Sequence, residues 1–375
     1  MIHTPLTGRG GGERQILRLA IELQKLGHEV EVFTNAVNEK ACYPNLLNKV
    51  TINVISHPLV RFKPYRKIAI INIGRNMPKR FDIINNHNFP TEWAAFFAKV
   101  RLKIPVVWMC NEPPYWFWRP EQREGRRIIN WPLYEVFDKI AVKYIDKIVV
   151  LSRVAECLVR KVYNRSSEIV RSGVDIELFH DASGGEVRKK YGLENDFVLL
   201  HVGYIDTRRR QSDSVEALYH LSKNYDNVKL ILDGSGSREA LIRLSEQLGV
   251  RDKVLFLRTT DDKELAKVYA ASDVFVFPSQ ITWGLATIEA MAAGKSVIVS
   301  KKAGTSEIIQ TGVNGIIVGH AKPEELAKAV ELLMNNPKLC KKLGENAYEY
   351  VKNNLSWEKY ARTMEKIFEQ TISKN

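Results

Sequence analysis

Cysteine is scarce and scattered: Cys42, Cys110, Cys157 and Cys340 include no C-x-x-C pair. That pattern points to neither a disulfide framework nor a zinc site, and it fits a reducing cytoplasm. Long apolar runs are missing too. Stretches such as Val274-Phe275-Val276-Phe277 fall far short of the ~20 residues a membrane-spanning helix needs. Met1-Ile2-His3-Thr4-Pro5 lacks the apolar core of a secretory leader. No helix-turn-helix, zinc-finger or RNP signature is present, so nucleic acid is not an expected partner. What remains is ordinary for a globular chain, with 45% hydrophobic and 26% charged residues. For 375 residues, at about 150 per domain, two domains are expected.

Acid is what the first half lacks. The net charge of +13 comes from 56 basic and 43 acidic side chains. Residues 1–180 hold 28 basic and 17 acidic residues, whereas residues 181–375 hold 28 and 26. The densest stretch, 57–80, contains Arg61, Lys63, Arg66, Lys67, Arg75, Lys79 and Arg80 and no acid. It reads as a surface for phosphate-bearing partners, with anionic lipid headgroups attracting each basic residue by about 1 kcal/mol. A solvated basic face accounts for the same residues. Downstream, Tyr115, Trp116, Phe117 and Trp118 stand between prolines and precede Arg119, Arg123, Arg126 and Arg127. Aromatics interleaved with cations suit a membrane interface or a sugar-stacking acceptor site. A loop packed on its own domain is the plainer alternative.

Periodicity organises the rest. Residues 13–26 read as an amphipathic helix stopped by Gly27, followed by an alternating strand over 29–33. Further strands are expected at 50–55, 81–85, 106–109 and 147–151. After a connection near 172–184 the pattern restarts, with strands at 197–202, 228–232, 254–257, 274–277 and 296–300. Helices at 213–224, 238–248, 262–271 and 286–293 lie between them, and 323–334, 337–354 and 357–372 follow. Strands alternating with helices mean α/β, parallel-sheet domains, here two Rossmann-like ones. Ligands of such sheets bind at the carboxyl ends of the strands.

The loop Gly8-Arg9-Gly10-Gly11-Gly12 runs into the first helix. Its glycines let backbone N–H groups approach an anion, and the helix start favours negative charge. The spacing is not that of a dinucleotide fingerprint, because Glu13 stands where a third glycine is needed, and no Walker lysine follows. An NAD-dependent oxidoreductase is therefore not expected. A phosphate or sugar loop is the preferred reading, beside a merely flexible one. Only Met1–Gly8 precede it, so the first strand is short or missing, or the chain start is not the natural one. Later, a strand ends at Pro278 and a helix opens near Gly284. The free N–H groups of Gly284, Leu285 and Ala286 would face a bound anion. Glu289, less than two turns further, could accept bonds from a diol such as a ribose.

Here the sequence resembles a known family. Phe277-Pro278-Ser279 through Gly284 to Glu289 and Gly294 is similar to the donor-site signature of the retaining group 1 glycosyltransferases (family 4, GT-B fold). The loop Gly10-Gly11-Gly12-Glu13-Arg14, the turn Gly27-His28-Glu29-Val30, the strand ending Asn86-His87-Asn88, the hinge Ser172-Gly173-Val174-Asp175, Asp233-Gly234-Ser235-Gly236 and Ala271-Ser272-Asp273-Val274 resemble that family in order.

The resemblance implies two Rossmann-like domains facing across a cleft, with the acceptor domain at 1–177 and the sugar-nucleotide domain at 178–357. The last helix, about 358–375, would pack back on the first domain. It implies transfer of a hexose from a GDP- or UDP-linked donor to a glycan or lipid-linked acceptor, with retention, no cofactor and no metal. Without metal, the leaving diphosphate needs fixed cations. The family's arginine position is Tyr204 and its lysine position is Arg210, with Arg208 or Arg209 available as a substitute. His87 is the matching histidine near the reaction centre, and Arg210 and His87 are the expected catalytic residues. Gly11, Gly12, Arg209, Arg258, Gly284, Leu285, Ala286 and Glu289 are the expected donor contacts, with Glu307 and Thr259 nearby. Arg61, Lys63, Arg66, Lys67, Tyr115, Trp116 and Trp118 are the expected acceptor or membrane contacts. Such an enzyme would be cytoplasmic and peripheral on the inner membrane face. One departure stands out: the first of the family's two glutamates, eight positions before Glu289, is Ile281. Gln280 or Thr282 could substitute. The alternative is a sugar-nucleotide-binding paralogue with little catalysis.

Overall fold

The computed structural model describes residues 1–56, 58, 68–114 and 131–374. The expectations placed on Arg61, Lys63, Arg66, Lys67, Tyr115, Trp116 and Trp118 lie outside the described residues. The chain forms two compact units, one of Met1–Gly173 with Trp357–Asn375, the other of Val174–Ser356. The first crossing falls four residues before the expected boundary and the second one residue before it. The reason is a local pairing: the Val174 N–H donates to the Leu355 carbonyl at 3.0 Å, and Val174 bridges Ser356. Both crossing segments are thereby held in the second unit.

In the first unit the strands are β1 (Glu31–Thr34), β2 (Thr51–Val54), β3 (Ile84–His87), β4 (Val106–Met109), β5 (Lys147–Val150) and β6 (Glu168–Ile169). β1 pairs with β2, and β3-β4-β5-β6 run in that order, all parallel. Met1–His3 fill the place between the two groups. The Phe33 N–H donates to the Met1 carbonyl at 2.8 Å, and the His3 N–H donates to Phe33 at 3.0 Å. On the other side the Ile2 N–H donates to Asn85 and the His87 N–H to Ile2, both at 2.9 Å. Three residues thus join β1 to β3.

β4 is buried on both faces, as expected of a parallel strand covered by helices on each side. The helix Gly11–Lys25 buries Ile16, Leu17 and Ala20, packed in a cluster with Val32 and Tyr43. It starts at Gly11 rather than Glu13. The last helix, Trp357–Ile372, buries Trp357, Tyr360, Ala361, Met364, Ile367 and Phe368, the spacing of one helical face. It is tied to the first helix, where the Gln15 amide donates to the Tyr360 hydroxyl at 2.9 Å.

The second unit is one six-stranded sheet. Its strands are β7 (Phe197–Val202), β8 (Val228–Asp233), β9 (Val254–Leu257), β10 (Val274–Phe277), β11 (Ser296–Ser300) and β12 (Ile316–Val318). The order is β12-β11-β10-β7-β8-β9, parallel throughout. The chain moves outward through β7, β8 and β9, then returns past β7 to begin again at β10. The point of reversal therefore lies between β7 and β10, where a crevice opens at the strands' carboxyl ends.

Candidate functional site

The loops after β7 and β10 meet at that reversal. The Gln280 N–H donates to the Arg208 carbonyl at 3.0 Å, and the Ser279 hydroxyl donates to the same carbonyl at 3.3 Å. The Gly304 N–H, after β11, donates to the Ile281 carbonyl at 2.9 Å. On the other side the Ile205 N–H donates to Ser235 at 2.7 Å. These loops touch backbone to backbone: a Cβ on Gly234 would lie 1.9 Å from the Gly203 carbonyl oxygen. Only glycine permits that approach.

Gly284 caps the helix Leu285–Ala292 in an extended conformation with no side-chain hydrogen bond. By helix geometry the Leu285 and Ala286 N–H groups have no carbonyl within the helix, so the helix start offers donors and partial positive charge.

The arginine loop is folded by its own acids. Asp206 Oδ1 accepts from the N–H groups of Arg208 at 3.0 Å and Arg209 at 2.9 Å, a side-chain-closed turn. Asp206 Oδ2 accepts from Arg209 Nη1 at 2.7 Å and lies 3.6 Å from Arg208 Nη2. Arg210, at φ 56° before the helix Gln211–Ser222, forks onto buried Asp213 with bonds of 2.6 and 2.7 Å. Three arginines against two aspartates leave the loop formally one charge positive. Arg209 and Arg210, expected as fixed cations for a diphosphate, already hold carboxylates. An incoming anion competes with Asp206 and Asp213 for them.

Glu289, expected to accept from a diol, lies within the helix Leu285–Ala292. It is buried, and its Oε2 accepts from the Tyr269 hydroxyl at 2.9 Å. That phenol belongs to the neighbouring helix, Asp262–Ala271, and also lies 3.1 Å from the Ala286 carbonyl oxygen. Tyr204 is exposed, and its carbonyl accepts from the Gln211 amide at 3.0 Å. Arg258 and Thr259 line a cavity of about 460 Å³ with Glu186, Lys190 and Tyr191. Glu307 lines a separate groove of about 520 Å³ with Gln310, Asn346 and Tyr350.

In the first unit, His87 ends β3 and is fully buried. The Asn85 amide donates to the Val107 carbonyl at 3.0 Å, which leaves Asn85 Oδ1 to accept from His87 Nε2 at 2.7 Å. Burial, with His3 and the chain's amino group near, holds the His87 pKa well below the usual value. The ring is neutral and Nδ1 unprotonated; Nδ1 has no hydrogen-bond partner among the described residues. Expected at the reaction centre, His87 is enclosed in this conformation. Gly12 stands nearby: a Cβ there would meet Asn88 Nδ2 at 2.4 Å and His3 Nε2 at 3.6 Å. Gly11 opens the helix beside it.

Sequence reasoning missed His3, Asn88 and His201. Asn88 Nδ2 and His3 Nε2 lie 3.3 Å apart, a position readable only once Met1–His3 is seen to bridge β1 and β3. His201, on β7 beneath the arginine loop, bonds the Ser214 hydroxyl through Nδ1 at 2.9 Å. Burial, reinforced by Arg209, pulls its pKa down to about 3.

Two parallel α/β units, the second with converging loops at its reversal point, define a protein of the two-domain Rossmann-like class. The chain belongs to the glycosyltransferases: the family model "Glycosyltransferase Family 4" matches residues 9–178, and "Glycosyl transferases group 1" matches residues 185–350. An uncharacterised glycosyltransferase of Methanocaldococcus jannaschii is 26% identical, over 93% of this chain and 92% of its own. The fold is GT-B. The crystal structure of Anabaena HepE in complex with UDP-glucose superposes with a TM-score of 0.81 at 18% identity, over 98% of this chain and 99% of that one. WaaG, a glycosyltransferase involved in lipopolysaccharide biosynthesis, gives 0.76 at 20% identity, over 98% and 99%.

Proposed function

We propose that this enzyme moves a hexose from a GDP- or UDP-linked donor to a glycan or lipid-linked acceptor, with retention and without metal or cofactor. The observation that carries this reading is the meeting of the Arg208–Arg210 loop with the loop before the helix Leu285–Ala292, through the bond from the Gln280 N–H to the Arg208 carbonyl. Arginine forks and free helix-start N–H groups stabilise the negative charge that grows on a departing diphosphate. In the transfer, the bond from the anomeric carbon to the diphosphate breaks, one to the acceptor oxygen forms on the same face, and the acceptor hydroxyl's proton passes to the departing diphosphate. Arg210 and Arg209 exchange their aspartates for phosphate oxygens, and Gly284, Leu285 and Ala286 supply backbone donors. Arg258 and Thr259 border the base, and the Glu289 carboxylate, held in place by the Tyr269 hydroxyl, accepts from the ribose diol. Gly11, Gly12 and His87 serve the sugar, with His87 Nδ1 accepting a hydroxyl once the side chains over it move. The relative in complex with UDP-glucose supports this class of donor. The one involved in lipopolysaccharide biosynthesis supports a lipid-linked acceptor. The basic stretch 57–80 would draw the enzyme to the anionic inner face of the cytoplasmic membrane.

The test is incubation with UDP-glucose, GDP-mannose and other donors, with membrane extract as acceptor, following nucleoside diphosphate release. The anomeric configuration of the early product, read by NMR, tests retention. Turnover unaffected by a chelator tests metal independence. No turnover and no donor hydrolysis with any of them would count against transfer. Ile281 and Tyr204 favour a second reading, a sugar-nucleotide binder with little catalysis. Tight donor binding without turnover, in the parent and in Ile281→Glu, would support it.

A further inference from the structure

The helix Trp131–Lys143 has two apolar faces. Its inner side is committed: Ala141 and Val142 are buried in the core of the first unit, and buried Asp138 accepts from Trp93 Nε1 at 2.8 Å and from the Tyr163 hydroxyl at 2.7 Å. The outer side carries Leu133, Val136 and Ile140, exposed by 70%, 57% and 41%, and the following turn adds Tyr144 at 47%. At about 100° per residue these four fall within about 80° of arc, opposite the buried face. Of the ten large apolar side chains exposed among the described residues, four lie in this one segment. The stripe continues onto the helix Thr91–Leu102: the Tyr144 ring meets Phe96 at 4.8 Å, and exposed Val100 stands one turn beyond Phe96.

The edge of the stripe is basic. Lys139 and Lys143 are exposed on the same outer side. Lys139 pairs with Glu135 at 2.8 Å. An apolar stripe bordered by lysines on an in-plane helix is the arrangement that enters the boundary between lipid headgroups and acyl chains. With Glu135 already paired to Lys139 and Lys143 beside it, this edge keeps a net positive charge, which an anionic surface complements.

We propose that Leu133, Val136, Ile140 and Tyr144 form a shallow insertion surface for a bilayer containing anionic lipid, with Lys139 and Lys143 on the headgroups. This rests on the reading that the acceptor is met at a membrane. It adds an apolar contact distinct from the basic stretch 57–80.

The test needs no donor, so its failure and that of sugar transfer are separable. The full chain is floated with vesicles of phosphatidylcholine alone or with phosphatidylglycerol, at low and high salt. We expect binding to the anionic vesicles. Leu133→Asn with Ile140→Asn should weaken it about tenfold at either salt. Lys139→Gln with Lys143→Gln should weaken it at low salt only, where charges are unscreened. Leu133→Asn alone serves if the double variant does not fold. Three results would each overturn the proposal: no vesicle binding by the parent, unchanged affinity in the asparagine variants, or a concentration-dependent dimer in sedimentation that those variants abolish.

Discussion

Arg210→Ala should cost both stability and rate, for separable reasons. Asp213 has a side chain only 2% exposed, and Arg210 holds it with a two-pronged contact while itself 27% exposed. Removing one partner of a buried ion pair costs about 3–5 kcal/mol. Solvent reaches the arginine here and screens the pair, so the expected loss falls below that range, at about 2–3 kcal/mol. In the rate, losing one fixed donor to a developing negative charge costs about 10²–10³-fold in kcat. The double variant Arg210→Ala/Asp213→Ala distinguishes the two effects. It has no stranded carboxylate, so it should recover stability to within about 1 kcal/mol of the parent while remaining as slow as the single variant. Urea unfolding gives the first quantity and initial rates of nucleoside diphosphate release the second. A double variant as unstable as Arg210→Ala, or a single variant with the parent's rate, would refute the assignment of Arg210 to both partners.

Three further outcomes are expected. Tyr269→Phe removes the hydroxyl that donates to buried Glu289 and should destabilise the protein by about 1–3 kcal/mol, measured by denaturant titration. Gly12→Ala places a Cβ 2.4 Å from Asn88 Nδ2 and should lower kcat/KM by about tenfold or more, with little change in the thermal midpoint if the Asn88 side chain turns aside. Acid should unfold the protein in a histidine-dependent way. His201 in the folded chain has its pKa pulled down to about 3 and that of His87 is also lowered, so below the unfolded value of about 6.5 the unfolded chain takes up protons first. Stability contributed by these groups is full above that value and falls as pH drops, by about 1.4 kcal/mol per pH unit per histidine. A His201→Asn variant should show a flatter stability profile between pH 6 and 4 (about one proton's slope less); an unchanged slope would contradict the burial argument.

The strands made of continuous apolar residues were legible in the sequence. β4, β7, β9, β10 and β11 fall where their Val, Ile, Leu and Phe runs place them; a strand buried on both faces, as β4, β10 and β11 are, needs little else. β3 was expected at 81–85 but runs Ile84–His87, since its Asn85, Asn86 and His87 are polar yet buried. Their side chains are bonded in part within the unit, as where the Asn86 amide donates to Thr91 Oγ1 at 3.1 Å and Asn85 Oδ1 accepts from His87 Nε2, and no periodicity signals that. Met1–His3 pairs on both sides through too few residues to show a pattern, and β12, Ile316–Val318, is equally short.

At the site, the glycines, the arginine triplet and the helix start were readable as residue types. Their electrostatic partners divide by distance along the chain. Asp206 and Asp213 stand three residues from Arg209 and Arg210, a spacing that signals an ion pair across one turn. Tyr269 and Glu289 are twenty residues apart on different helices, and only the tertiary fold brings them together.

Thermal unfolding across a panel of sugar nucleotides tests the central claim most directly, because a ligand that binds only the folded chain raises its midpoint. The account predicts that at least one GDP- or UDP-linked hexose stabilises the parent, and that Arg210→Ala responds less at the same concentration. Equal stabilisation of both proteins, or no response to any sugar nucleotide, would contradict it.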